Sequence, residues 1–146
     1  MKTLLLNDGD IVLDSGSYET VTGPAKLRQD LDLAMREPLD PSGVGIDRFH
    51  PHWGSLLPTM VGDPITPTHT TQIEGEVRRI LENYIAVQRD RMARDARNGR
   101  RPRYASGEVI DRVASIQVRP EWDAVHLRAE IRTLTADEVV VLTVRG

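Results

Sequence analysis

Two histidines in alternate positions, His50 and His52, are the first residues in this sequence whose types and spacing could do chemistry. From an extended segment both imidazoles would project to one side, where they could hold a metal ion. The further ligands would come from His69, Asp47 or Asp63. No second closely spaced pair of ligands accompanies the histidines, and Pro51 between them restricts the geometry. We therefore predict no metal site.

Carboxyl groups near the same histidines point to a second kind of chemistry, acid–base catalysis. Two carboxylates at a suitable separation could hydrolyse a glycoside. The candidates are Glu37, Asp40, Asp47 and Asp63, and Glu37 with Asp47 would be the first pair to test. The chain has 22 acidic residues, so several in one loop are not specific, and it has neither a nucleophile elbow nor a glycine-rich phosphate loop. We predict that the protein is not an enzyme and uses no cofactor, with glycan hydrolysis as the open alternative.

An arginine-rich stretch from Arg89 to Arg103 contains seven arginines and two aspartates, and it could contact nucleic-acid phosphates. Base-stacking aromatic residues are missing apart from Tyr104, and a net charge of −3 gives no general attraction to nucleic acids or membranes. A protein contact is favoured because arginine is enriched at protein interfaces. We predict partner contacts at Arg100, Arg101 and Arg103, with nucleic-acid binding as a further alternative.

The composition fits one domain spanning residues 1–146. Cysteine is absent, so disulfide and thiol chemistry are excluded, which suits a reducing cytoplasm. No apolar run approaches the roughly 20 residues that span a bilayer. The apolar start, residues 1–6, is too short for a signal peptide.

Helices are predicted where apolar residues recur at helical spacing. The predicted bounds are Gly23 to Arg36, Thr68 to Ala96 and, for a third short helix, Ser106 to Val113. Pro24 suits a first helical turn because its missing N–H would be unpaired there, and Pro38 stops the first helix. The segment from Glu37 to Pro67 is expected to be irregular.

Strands are predicted at both ends of the chain. Leu4–Leu6 and Ile11–Leu13 flank Asn7-Asp8-Gly9, a pattern typical of a hairpin. We expect a loop or edge segment from Ser15 to Thr22, and no internal repeat. A terminal meander is predicted from Ile116 to Pro120, Ala124 to Thr133 and Val139 to Val144. The predicted fold class is α+β, with two main helices packed on a small mixed or antiparallel sheet and a C-terminal β-hairpin.

The last predicted strand is apolar on both faces, whereas a half-solvated edge strand would alternate. Such a strand is either covered on both sides or pairs with a strand of another chain. The residues predicted to contact a partner here are Val139, Val140, Val141, Leu142 and Val144.

The segment Asp47 to Pro58 holds the only phenylalanine, one of two tryptophans and two of four histidines. Within it, Pro51, Trp53, Gly54, Ser55 and Leu57 match a motif of the form P-x-(F/W/Y)-G-(S/C)-x-L. The chain thereby resembles the baseplate wedge family of contractile tails, also called tail lysozyme-like or sheath-initiator proteins. The resemblance also includes the helix before the motif, Gly23 to Leu39, and the long helix Thr71 to Val87 with the strands after it. It covers about three-quarters of the chain.

The resemblance implies a structural role at the base of a contractile phage tail or a related injection device, including type VI secretion. It implies wedge proteins and the tail sheath protein as partners, with tube or hub proteins as further candidates, in a multi-copy, sixfold assembly. The protein would be part of the virion baseplate and would be assembled in the host cytoplasm. The segment that carries the motif, Pro51 to Leu57, would contact wedge proteins, and the C-terminal hairpin would initiate the sheath. Many members carry a Glu-Pro-Arg motif after the second helix, and this sequence has the arginine-rich stretch in its place.

Overall fold

A computed structural model shows an α+β fold that consists of a small N-terminal β module, two main helices and a C-terminal antiparallel sheet. The structure describes residues 2–7, 10–39, 53–60, 63, 66–121 and 125–135, together with the backbone of residues 139–145. The predicted fold class is confirmed, including the C-terminal β-hairpin.

The N-terminal residues form three short antiparallel pairs. The strands are β1 (Thr3–Leu4), β2 (Leu6–Asn7), β3 (Asp10–Ile11), β4 (Leu13–Asp14), β5 (Ser17–Tyr18) and β6 (Thr20–Val21). β1 pairs with β6, β2 with β3, and β4 with β5. The predicted hairpin is confirmed as β2–β3. Of the two alternatives for Ser15 to Thr22, a loop or an edge segment, the structure shows edge strands, because β5 and β6 each belong to a two-stranded pair.

A seven-residue repeat underlies this module, so the expectation of no internal repeat is wrong. Glycine recurs in the sequence at positions 9, 16 and 23, and two short strands precede each glycine: β1 and β2, β3 and β4, then β5 and β6. Leu5, Val12 and Glu19 lie between the two strands of each repeat, and their backbones bond in a cycle. The N–H of Val12 donates to Leu5 O, that of Glu19 to Val12 O and that of Leu5 to Glu19 O, at 2.9 to 3.1 Å. We call residues 3–21 the β-triangle.

A glutamine of the first helix attaches the β-triangle to the rest of the molecule. The Nε2 of Gln29 donates to Leu4 O at 2.8 Å, and the N–H of Leu6 donates to Gln29 Oε1 at 2.9 Å. The amide side chain therefore acts as a strand residue would, with one donor and one acceptor. At the start of the helix, the N–H of Gly23 donates to Oε1 of the buried Glu108 at 3.0 Å.

The two main helices are α1 (Gly23–Arg36) and α3 (Pro67–Arg97), close to the predicted bounds. The second begins earlier than expected because Thr66 is the cap, with Oγ1 accepting the N–H of His69 at 3.1 Å. Pro67 then fills the first turn, where no N–H is needed. A short helix, α2 (Leu57–Met60), lies in the segment that was expected to be irregular.

The C-terminal sheet has the strand order β7-β8-β9, with antiparallel neighbours. The strands are β7 (Ile110–Pro120), β8 (Val125–Thr133) and β9 (Val139–Arg145). The predicted helix from Ser106 to Val113 is wrong: a 3-10 turn ends at Glu108 and the chain is extended from Ile110. β-branched residues in this segment favour a strand. The N–H of Ile110 also donates to Gln88 Oε1 of α3 at 3.0 Å, which fixes the start of β7.

The helices and the sheet enclose one apolar core, with α3 against β7 and α1 beside β9. Its buried members are Leu27, Leu31, Ala34, Met35, Ile73, Val77, Ile80, Leu81, Tyr84, Ile110, Leu127, Ala129 and Ile131. The alternation predicted for β8 is confirmed, since Leu127, Ala129 and Ile131 are buried while Arg128 is exposed. Each fully buried leucine or isoleucine contributes roughly 1.5 to 3 kcal/mol. This core fixes the position of α1 relative to α3.

Candidate functional site

The motif loop, residues 53–57, is fastened to the end of α1 by a two-bond bridge. The N–H of Ser55 donates to Glu37 O at 2.7 Å, and the N–H of Leu39 donates to Ser55 O at 2.8 Å. Together they form an isolated parallel bridge between Pro38 and Ser55. Ser55 is completely buried. The chain therefore returns at residue 55 to the place where it left α1.

Glycine is required at position 54 of this loop. Gly54 has a φ of +120°, a conformation that side chains disfavour. A Cβ there would lie 3.1 Å from Glu37 O and 3.2 Å from Pro38 O. Both atoms belong to the backbone bridge, so they have little freedom to move aside. The close approach of the two chain segments thus depends on the missing side chain.

Helix α3 holds the other side of the loop through an ion pair. Glu76 Oε1 accepts the N–H of Leu56 at 2.8 Å, and Arg79 Nη2 donates to Gly54 O at 2.9 Å. The two side chains also bind each other, with Arg79 Nη2 2.6 Å from Glu76 Oε1. Burial alone would raise the pKa of Glu76, but the hydrogen bonds from Arg79 and Leu56 outweigh it and lower the pKa. The ion pair therefore stays charged while it clamps the loop.

An aromatic contact continues the site from the loop towards the middle of both helices. The rings of Trp53 and Tyr84 lie 5.5 Å apart at an interplanar angle of 47°. The hydroxyl of Tyr84 donates to Asp30 Oδ2 at 2.9 Å, and Lys26 forms an ion pair with the same carboxylate. Burial and then the Asp30 carboxylate raise the pKa of Tyr84, so its hydroxyl remains protonated. These residues line a groove of about 560 Å³ between α1 and α3.

The motif residues predicted to contact partners occupy different environments. Pro51 lies outside the described residues. Gly54 and Ser55 are buried and shape the loop, so they present no side chain to a partner. Trp53 and Leu57 are half-buried and pack against the core, each with part of the side chain at the surface. The motif is thus organised by the fold itself, and its accessible part is small.

The three predicted arginines differ in whether the side chain has a partner within the chain. Arg103 Nε lies 2.9 Å from Oδ2 of Asp95, a carboxylate whose side chain is only 3% exposed. This ion pair closes the turn that follows α3, where the N–H of Arg100 also donates to Asp95 O at 2.8 Å. The side chains of Arg100 and Arg101 are exposed. Arg103 therefore has a structural partner within the chain, whereas Arg100 and Arg101 are open to another molecule.

The predicted C-terminal strand forms as β9 and pairs with β8 over its whole length, from Arg132 with Val139 to His126 with Arg145. Within the described residues, no further strand pairs with the outer edge of β9. Strand addition from another chain would use the backbone N–H and C=O groups of that edge.

The described helices include none that is long and apolar enough to cross a membrane.

The residues considered for catalysis or metal binding lie partly outside the described part of the chain. Asp40, Asp47, His50 and His52 lie outside the described residues. Glu37 is half-buried at the end of α1, Asp63 is exposed and His69 is buried. In the part of the chain that the structure describes, no three histidine, aspartate or glutamate side chains are grouped as metal ligands would be.

Sequence reasoning missed Glu76 and Arg79, the residues that clamp the loop from α3. A signal for them was present, because Glu76 falls on the helix face that carries Ile73, Val77 and Ile80. A carboxylate on an apolar face is costly unless it is paired, and an arginine three residues later is the natural partner. That spacing indicated a buried ion pair, but it did not indicate that the pair would bind the backbone of the motif loop.

Comparisons with protein-family models, curated proteins and solved structures found no match for this chain. The resemblance to the baseplate wedge family therefore stays a prediction, based on the motif residues and the order of elements.

Proposed function

We propose that this protein is a structural component of a contractile-tail baseplate that joins neighbouring baseplate proteins and initiates assembly of the sheath. The observation that carries the proposal is the edge strand β9, which has an apolar sequence and whose described neighbours pair with only one of its two edges. An extended strand from another chain can add to such an edge through main-chain hydrogen bonds. A strand of the first sheath ring is the proposed occupant.

The motif loop supports the same role as a rigid docking element. Its backbone is held by α1 on one side and by Glu76 and Arg79 on the other, while Trp53 and Leu57 remain partly accessible. A preorganised surface loses little conformational entropy on binding. We propose wedge proteins as its partners, in an assembly of several copies at the tail baseplate. This role requires no catalytic residue and no cofactor.

Proline substitution in β9 tests strand addition. Successive strand residues direct their N–H groups to opposite edges, so of Val140→Pro and Val141→Pro one removes an N–H from the open edge and the other breaks a bond to β8. Thermal unfolding identifies the open-edge variant as the one that keeps the wild-type Tm. We expect that variant to fail to initiate polymerisation of the sheath protein of the same tail, as followed by light scattering and electron microscopy.

The matched control is alanine at the same position, which shortens the side chain but keeps the N–H. It should initiate the sheath nearly as well as the wild type. Normal initiation by the open-edge proline variant would show that β9 does not receive a sheath strand, and the proposal would fail.

A further inference from the structure

The outer face of the C-terminal sheet is rich in arginine. Opposed residues of an antiparallel pair share a face, and along β8 this outer face alternates with the buried Leu127, Ala129 and Ile131. We call the eight outer positions of β7 and β8 the basic face. They are Arg112, Ser115, Gln117 and Arg119 on β7, and His126, Arg128, Glu130 and Arg132 on β8. Four arginines thus share a face with one glutamate, in a chain whose net charge is −3.

Two pairs of basic residues lie directly opposite each other on this face. Arg112 is in register with Arg132 at one end, and Arg119 is in register with His126 at the other. β9 extends the second pair, because its Arg145 is also in register with His126. Like charges in directly opposed positions destabilise a sheet. Local conflicts of this kind are expected at functional sites, where a ligand of opposite charge compensates for them.

Two carboxylates near the basic face already have partners within the chain. Glu130 Oε1 lies 2.9 Å from Arg128 Nη2. Glu121, which follows β7, has its Oε2 2.9 Å from His126 Nε2. These two contacts neutralise one of the four arginines and engage the histidine.

The other three arginines of the basic face form no ion pair with any described residue. They are Arg112 and Arg119, which are exposed, and Arg132, which is half-buried. Asp111 lies in the bulge next to Arg112, and no ion pair joins the two. The opposed pairs at the two ends of the face therefore keep their positive charge, which suits an anion from another molecule.

The spacing of the opposed pairs indicates the size of that anion. From Arg132 to His126 the distance along β8 is six residues, or about 20 Å. A single phosphate or carboxylate group reaches only one end of such a face, whereas an extended polyanion reaches both. All the formal positive charge comes from arginine, whose planar guanidinium can bind two oxygens of one phosphate.

The uncharged residues of the basic face favour a nucleic-acid duplex over other polyanions. Ser115 and Gln117 are of types that bind phosphate and sugar oxygens. Protein interfaces centre on aromatic or aliphatic anchors, and the basic face has none; the nearest apolar positions in register are Val139 and Val141 of β9. Single strands bind by stacking bases on aromatic rings, which the basic face also lacks. A duplex keeps its bases stacked inside and presents its phosphates outside.

We propose that the basic face binds the phosphate backbone of a nucleic-acid duplex, without selecting the base sequence. Contacts to phosphates carry no sequence information directly. The inference uses the register and the charge of the sheet. It does not depend on the proposed function, because the basic face is distinct from the open edge of β9.

Fluorescence anisotropy with a labelled DNA duplex of about 20 base pairs and the full-length protein tests the binding. We expect log affinity to fall against log salt with a slope of about −3, since three or four phosphates would be neutralised. Arg112→Gln/Arg132→Gln should weaken binding at least about tenfold and make the slope less steep by about 2. The same variant should keep or exceed the wild-type Tm, because it removes an opposed pair of like charges. Unchanged affinity in this variant would contradict the proposal.

The matched control is Arg89→Gln/Arg97→Gln, which removes the same charge at two exposed residues of α3. Both belong to the arginine-rich stretch that was the earlier candidate for nucleic-acid contact. The control should bind the duplex within about twofold of the wild type, because salt screens charges that are not in contact. If it loses the affinity and Arg112→Gln/Arg132→Gln keeps it, the nucleic acid contacts α3 and the proposal is wrong.

Competing polyanions separate a duplex from the other classes of partner. A single strand of the same length should bind more weakly, since it gives a smaller salt effect per phosphate and finds no stacking platform. Polyglutamate and phosphatidylserine vesicles, at equal charge concentration, should not displace the duplex. Displacement by either would assign the face to an acidic protein or to a membrane and overturn the proposal. So would a wild-type protein that binds no duplex at low salt up to about 100 μM.

Discussion

At the scale of single residues, Gly54 decides whether the motif loop can approach α1. Its positive φ and the two carbonyl oxygens beside its Cα leave no space for a side chain. We expect Gly54→Ala to lower the free energy of unfolding by about 1 to 3 kcal/mol, since it combines backbone strain with a contact that the bridge cannot relieve. Urea unfolding followed by circular dichroism measures the change.

Gly75 provides the matched control, because it lies within α3 and a Cβ there would meet no atom within 4 Å. Gly75→Ala should raise the free energy of unfolding by about 0.5 to 1 kcal/mol through helix propensity. Equal effects of the two alanine substitutions would show that the loop tolerates a side chain at position 54.

Glu76 gives the stability of the protein a defined pH dependence. Folding lowers its pKa below the usual 4.5, so the carboxylate stabilises the fold above that pH, and this stability is lost as the pH falls through the lowered pKa. Glu76→Gln should therefore be less stable than the wild type near neutral pH, and the difference should shrink as the pH falls from 4.5 through the lowered pKa. Urea unfolding at a series of pH values measures it, and a difference that is constant with pH would contradict the assigned charge.

At the scale of elements, the β-triangle is separable from the core. Every buried apolar residue in the described part of the chain lies at or beyond Leu27, and Gln29 supplies the two hydrogen bonds that reach Leu4 and Leu6. We expect residues 23–146 to fold with a cooperative thermal transition and a Tm within a few degrees of the full chain. Differential scanning calorimetry measures both.

Removal of β9 by truncation after Thr135 is the comparison for this experiment. It should lower the Tm much more, because β9 pairs with seven residues of β8 and lies beside α1. Loss of the cooperative transition in residues 23–146 would show that the β-triangle is part of the folding unit.

The elements also differ in how well the sequence pattern predicts them. The sequence predicted α1, α3 and β8 because each has one apolar face with a single period along its length and, for α1, proline in the first turn. The β-triangle was not recognised because each of its strands is two residues long and successive strands pair with different partners, so no strand shows a long alternation. The apolar residues from Val109 to Val113 are compatible with both the helical and the strand period. The hydrogen bond from the N–H of Ile110 to Gln88 Oε1 favours the strand.

At the scale of the whole molecule, the sequence carried less information about the site than about the elements. The motif loop was identified from its rare residues, but its contacts with Glu76 and Arg79 join positions 20 and 25 residues apart. Such pairings depend on how α1 and α3 pack, which local periodicity does not specify. Likewise, the separation of a net charge of −3 in residues 1–22 from a neutral remainder is visible in the sequence, whereas the exposure of Ile11, Leu13 and Tyr18 is not.

The bridge between Pro38 and Ser55 makes the chain segment between them a suitable place to insert a label. Leu39 N and Ser55 O are 2.8 Å apart, so the fold itself already joins the two ends of the intervening chain. Lengthening the chain between two joined ends costs roughly 0.6 kcal/mol for each doubling of the loop length. A fluorophore or affinity tag inserted there would leave the bridge itself in place, so that a single labelled chain could be followed through assembly.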